Sequence, residues 1–136
     1  MHYDEGLKVG YKWYDAEKKP VLFPFGFGLS YTTYAYSGLK VQPGKTTTVT
    51  FSVKNTGDRP GTEIAQVYAA LPADAGEPPK RLVGWSKVHL DAGESREVSV
   101  SIDPLYLSIF EDSSDSWNIP SGECSFMSGG SSQDRP

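Results

Sequence analysis

The chain has 136 residues and a mass of 14.9 kDa, enough for one domain and a short appendage that needs no metal or disulfide staple. Thirteen basic against seventeen acidic residues give a net charge of −4, which argues against nucleic acid as a partner, since phosphate binding needs a concentrated basic face. No apolar run approaches the roughly 20 residues of a membrane-spanning helix, and a single cysteine, Cys124, excludes an internal disulfide or a cysteine-based zinc cluster.

In chain order, the first feature is aromatic density. Ten of the seventeen aromatic residues fall in the first 36 positions: Tyr3, Tyr11, Trp13, Tyr14, Phe23, Phe25, Phe27, Tyr31, Tyr34 and Tyr36. So short a segment cannot bury these rings against itself, so they pack on the body of the chain or on something else. Leu7 to Trp13 alternates with a strand-like period, while Tyr11 and Tyr14 also fit a helical i, i+3 pair; both alternatives stand. Pro20, Pro24, Gly26 and Gly28 break regular structure and make residues 15–30 a linker. Because it carries Val21, Leu22, Phe23, Phe25, Phe27 and Leu29, this linker is expected to lie fixed against a surface.

From Tyr31 the pattern becomes short strands separated by turn clusters, which predicts an all-β sandwich of about seven strands. Strands are predicted over residues 32–41, 46–54, 62–71, 81–90 (broken near Gly84) and 95–103. In the second, Val49, Phe51 and Val53 alternate with Thr48, Thr50 and Ser52, the signature of a half-buried strand. The mixed pattern of 62–71 implies cover on both faces. Residues 72–79 form the longest irregular loop, and 104–111 a short strand or corner. Residues 117–119 with 122–128 are predicted to close a last hairpin, and 129–136 to form a polar tail. No sequence repeat is present.

Glu5 to Asp15, then Pro20-Val21-Leu22-Phe23-Pro24-Phe25-Gly26-Phe27-Gly28-Leu29-Ser30-Tyr31-Thr32, is similar to the C-terminal region of family 3 glycoside hydrolases, which include β-glucosidases and β-xylosidases. The resemblance continues through Asn55-Thr56-Gly57-Asp58, Gly61 to Tyr68, Leu82-Val83-Gly84-Trp85 and Val88-His89-Leu90, and ends at Gly129 to Asp134. It implies an immunoglobulin/fibronectin type III-like β-sandwich over residues 31–128, preceded at 1–30 by the tail of an α/β sandwich domain and an apolar linker. Met1 stands inside the resembled motif, so a piece of a longer enzyme is expected, and localisation stays open. Cys124 to Ser128 departs from the family's regular apolar strand, which predicts a loose last strand anchored by Phe126.

Retaining glycoside hydrolysis needs two carboxyl groups about 5–5.5 Å apart. The resemblance implies that the nucleophilic Asp belongs to an N-terminal barrel and the acid/base Glu to the α/β sandwich domain. Neither motif is present here, so no catalytic residue is assigned and the chain is expected to be inactive alone. Ser114-Asp115-Ser116-Trp117 echoes the nucleophile motif but reads as a turn. Glu111, Asp112 and Asp115 contain oxygen ligands for a hard cation, yet lack a defined spacing and read as solvated. His2 and His89 are too few for a histidine-rich metal site. No metal or cofactor is expected.

Trp13, Phe23, Phe25 and Phe27 are assigned to docking against a neighbouring domain. The resemblance names the barrel and the α/β sandwich domain of a parent enzyme as partners. Self-association through the same apolar segment is a further possibility, and neither nucleic acid nor membrane is expected as a partner. Trp85 and Trp117 are expected to fill the core or cap its ends. The alternative is a glycan-binding module in which Trp13 and Trp117 stack on sugar rings of a β-glucan.

Overall fold

A computed structural model of the chain describes His2 and residues 4–134. Tyr3, one of the clustered aromatics, and residues 135–136 of the expected tail lie outside the described residues. A short helix, α1 (Tyr11–Ala16), precedes eight strands: β1 (Tyr34–Gln42), β2 (Thr47–Asn55), β3 (Gly61–Ala70), β4 (Arg81–Leu90), β5 (Ser95–Ile102), β6 (Ile109–Glu111), β7 (Ser116–Asn118) and β8 (Ser125–Gly129). Six of them form two three-stranded antiparallel sheets, ordered β1-β2-β5 and β4-β3-β8. The remaining two, β6 and β7, pair with each other alone.

The alternation in the sequence decides which faces meet. Val49, Phe51 and Val53 of β2 point inward with Val98, Val100 and Ile102 of β5, in a register that sets Phe51 opposite Val98 and Val49 opposite Val100. Ala65, Val67 and Ala69 of β3 meet them with Val83, Val88 and Leu90 of β4. Burying each larger side chain here contributes roughly 1.5–3 kcal/mol, which is what holds two small sheets together. The break expected near Gly84 is a bulge within a continuous strand, where β3 and β4 slip register between Val67 and Tyr68. A side chain at Gly84 would meet Val100 Cγ1 at 2.6 Å, so the glycine sets how closely the sheets approach.

Asn55 closes the end of the sandwich where the chain passes from β2 to β3 and from β4 to β5. It is fully buried. Its Oδ1 accepts from Thr32 Oγ1 at 2.5 Å and from the Gly57 amide at 3.1 Å, and its Nδ2 donates to Arg59 O at 2.7 Å and Leu90 O at 3.2 Å. Its own amide donates to Glu94 O. A buried amide with every group paired ties both crossovers to one point.

Three expectations change. The last hairpin joins Ile109–Glu111 to Ser116–Asn118 rather than 117–119 to 122–128. Asp115, at φ 48, makes the left-handed turn that closes it, while Ser114, Ser116 and Asn118 bond one another and Glu111 across its polar face. Residues 125–129 are taken up by the free edge of β3, as a regular strand with Phe126 packed on the core. The stretch beyond 129 is not free either, because Ser131 and Ser132 are buried.

Candidate functional site

Cover on both faces of β3 is what the structure provides from Ala65 to Ala69, and its outer face carries the site. Ala65, Val67 and Ala69 face the core, so Gln66 and Tyr68 face outward, yet both are buried. The N-terminal segment and the C-terminal turn cover them. Tyr68 donates its hydroxyl to Gln66 Oε1 at 2.5 Å, and Gln66 Nε2 donates to Gly130 O at 2.6 Å and to Gly26 O at 3.4 Å. Burial pushes the Tyr68 phenol well above its ordinary value.

Of the two alternatives for Leu7 to Trp13, the helical pair is realised, and α1 lies over this face. Tyr11 stacks on Phe25 with ring centroids 4.7 Å apart and meets Tyr68 edge-on at 6.2 Å. Its hydroxyl accepts the Leu82 amide at 2.8 Å, and burial raises its pKa. One turn on, Asp15 sits 3.5 Å from Lys80 Nζ, with both side chains nearly buried. Lys80 also donates to Ser132 O, and its ammonium stands 5.8 Å from the Tyr68 ring centroid. Ser132 returns to the linker by donating its amide to Phe25 O at 2.8 Å. The segment is therefore fastened by aromatic stacking, an ion pair and backbone bonds together.

The opposite face of the segment is bare. Leu22, Leu29 and Tyr31 are more than nine-tenths exposed, and Phe23 is 71% exposed. Phe23 stacks on Phe27 at 5.3 Å, so the two rings present one continuous surface. Phe25 divides its area between Tyr11 and water. Trp13 is half-buried, edge-on to Tyr14 at 4.9 Å, with Lys19 Nζ 4.3 Å from its ring centroid. The segment therefore exposes a larger apolar surface than a solvated linker carries.

Trp85 and Trp117 do not fill the core. Trp85 is 61% exposed because it stands opposite Gln66 on the outer face of the sheet. Trp117 is 58% exposed because it lies on the separate β6–β7 hairpin, where it pairs edge-on with Phe110 at 5.5 Å. Gln66, Lys80 and Ser132 escape a sequence reading. The one signal for Gln66 is a polar residue inside the apolar run from Ile64 to Tyr68.

Several acidic groups are paired with basic side chains. Glu77 pairs with Arg81 at 2.5 Å, Glu94 with Arg96 at 2.6 Å and Glu17 with Lys8 at 2.8 Å. Lys8 lowers the pKa of Glu17, and the Asp91 amide followed by Arg96 lowers that of Glu94. Among the described residues, no group of three or more His, Cys, Asp or Glu side chains is placed to hold a metal ion. An open groove of about 1150 Å³ runs between the α1 end, β1 and β8, bordered by Lys19, Tyr36, Lys80, Phe126 and Asp134.

This sandwich agrees with known proteins. Residues 63–132 match the fibronectin type III-like domain family. The chain belongs to that family. It is 39% identical over 134 residues to a probable β-glucosidase K of Emericella nidulans, covering 96% of this chain and 16% of that protein. It is also 39% identical over 137 residues to an exo-α-(1→6)-L-arabinopyranosidase of Bifidobacterium breve, covering 98% and 18%. The solved structure of a Bifidobacterium adolescentis family 3 β-glucosidase superposes with a TM-score of 0.90 at 40% identity, over 97% of this chain and 20% of that one. The chain thus corresponds to the C-terminal fibronectin type III-like region of a family 3 glycoside hydrolase, and spans under a fifth of the curated relatives it matches.

Proposed function

We propose that this chain is the non-catalytic accessory domain of a β-glucosidase-like enzyme, holding its catalytic domains through the N-terminal aromatic face. The parent enzyme would hydrolyse β-linked glucosides or related O-glycosyl bonds. Residues 1–30 are read as the tail of the preceding α/β sandwich domain and its linker, residues 31–128 as the accessory domain. The observation that carries this reading is a segment fastened on one side and bare on the other. Leu22, Phe23, Phe27, Leu29 and Tyr31 expose their apolar surface while Tyr11, Asp15 and the Phe25 carbonyl are engaged with the sandwich. A surface pinned in this way loses little conformational freedom when a partner covers it. Trp13, Phe23, Phe25 and Phe27 are its aromatic anchors.

Hydrolysis itself needs a nucleophile and an acid/base carboxyl, and these are assigned to the partner domains. The test is to mix the chain with the barrel and α/β sandwich portion of a family 3 β-glucosidase cut before its own fibronectin-like region. Co-elution and a raised melting temperature of that portion support the reading; independent migration of two folded proteins refutes it. The chain alone is expected to leave an aryl β-glucoside unhydrolysed above buffer background.

The second reading, glycan binding, is favoured by the exposed Trp117 ring. Against it, Trp13 shares its ring with Lys19 and Tyr14, and Trp117 pairs with Phe110 on a different element, so the two tryptophans do not build one platform from a shared strand. Saturable retention on β-glucan, lost in Trp117→Ala, would establish it.

A further inference from the structure

Glu63 is a half-buried acid that neither the core nor the docking face uses. It lies on β3 beside the edge where β1 and β8 approach, and accepts the Tyr36 hydroxyl at 2.6 Å from the opposite sheet. Gly130 passes directly over it. The point where a Gly130 Cβ would stand is 2.7 Å from Glu63 Oε1 and 3.7 Å from Asp134 Oδ2. Asp134 is held there by the Gly130 amide, which donates to its Oδ2 at 3.0 Å. The turn between them is the one that fastens the N-terminal segment: Gly130 O takes Gln66, the Ser132 amide takes Phe25 O, Ser132 O takes Lys80, and Gln133 reaches Asp15.

We propose that Glu63 and Asp134 form a pH-sensitive clasp, closed in acid and loosened as pH rises, that sets how firmly the aromatic segment is held on β3. A half-buried carboxylate with an exposed one on the other side of Gly130 is repelled by it when both ionise, and a proton bound to the first removes that repulsion. Burial, with the Asp134 charge adding to it and the Tyr36 hydroxyl opposing, raises the Glu63 pKa. A raised folded-state value gives stability that is complete below the unfolded value and is lost as pH rises through the folded one. The surroundings do not cancel the effect. Strand β1 contributes Tyr34 and Tyr36, and burial pushes the Tyr36 phenol far above its ordinary value, so it stays neutral. Val88 of β4 stands opposite Glu63, and His89 pairs with Thr62 on the other face of the sheet. Strand β8 carries no titratable group. Across the groove that Asp134 borders stand Asp15, Lys18, Lys19 and Lys80, with Lys80 already paired to Asp15. Arg135 follows in sequence, so the full chain is the material to test.

The clasp is independent of any docking partner, and its test reads the chain alone. Amide hydrogen exchange is followed by NMR at about pH 4 and about pH 7.5, corrected for intrinsic rates. The expectation is a loss of protection of about threefold or more at Gly130 and Ser132 at the higher pH, with the β2 and β5 amides unchanged. Glu63→Gln keeps an acceptor for Tyr36 and should abolish the pH dependence, with acid-like protection at both pH values. Asp134→Asn, at an exposed position that tolerates change, should reduce it. Equal protection of the two amides at both pH values overturns the clasp, as does a pH-dependent loss that persists in both variants.

Discussion

Gly26 and Gln66 are in direct contact: a Cβ on Gly26 would stand 2.3 Å from Gln66 Oε1, and Gly26 O lies 3.4 Å from Gln66 Nε2. The backbone of the linker therefore rests on a buried side chain of the sandwich. Gly26 also has φ +83, a conformation that other residues adopt with strain. Gly26→Ala is expected to cost about 1–3 kcal/mol and to free the linker selectively. Urea unfolding measures the first effect, and faster amide exchange near Phe25 and Ser132 the second.

At the other end of the sandwich, Asn55→Ala should be the more damaging change. It strips partners from Arg59 O, Leu90 O, the Gly57 amide and the Thr32 hydroxyl in a buried place. A loss of about 2–4 kcal/mol in chemical denaturation is expected. Thr32→Val removes one of those bonds and should cost less.

Gly84→Ala tests the sheet spacing. The added methyl would meet Val100 Cγ1 at 2.6 Å and Ile102 Cδ1 at 3.1 Å, so the inner faces must shift. Overpacking of this kind costs about 1–3 kcal/mol. Gly84→Ala combined with Val100→Ala should recover part of that loss, because the second change opens the space that the first one fills.

The strands with strict alternation were legible in the residues themselves. Val49-Thr50-Phe51-Ser52-Val53 and Val98-Ser99-Val100-Ser101-Ile102 have one apolar face each, and a slip of one residue would bury the wrong set. The β6–β7 hairpin was not legible, since three-residue strands carry too little pattern and both candidate turns, Asp112-Ser113-Ser114-Asp115 and Pro120-Ser121-Gly122, consist of turn-forming residues. Trp85 was misjudged because apolar neighbours in sequence lie on the opposite face of a strand. Gln66 and Ser132 were invisible for a different reason. Their burial is created by a segment 40 residues before Gln66 and a turn 64 residues after it, and no local pattern reports that meeting. The aromatic density of the first 36 residues correctly signalled that the segment packs on something, while the division into an inner ring set and a bare one came only from the fold.

The docking account rests on that bare face, and calorimetric titration tests it most directly. The chain is titrated into the barrel and α/β sandwich portion of a family 3 β-glucosidase that lacks its own fibronectin-like region. Saturable binding with a negative heat-capacity change is predicted, since apolar surface is being covered. The triple change Leu22→Ser, Phe23→Ser and Leu29→Ser touches only exposed side chains. It should weaken binding by about 100-fold or more while leaving the melting temperature of the chain within a few degrees. Binding of equal strength by the folded triple variant, or no binding by the folded parent chain, would contradict the account.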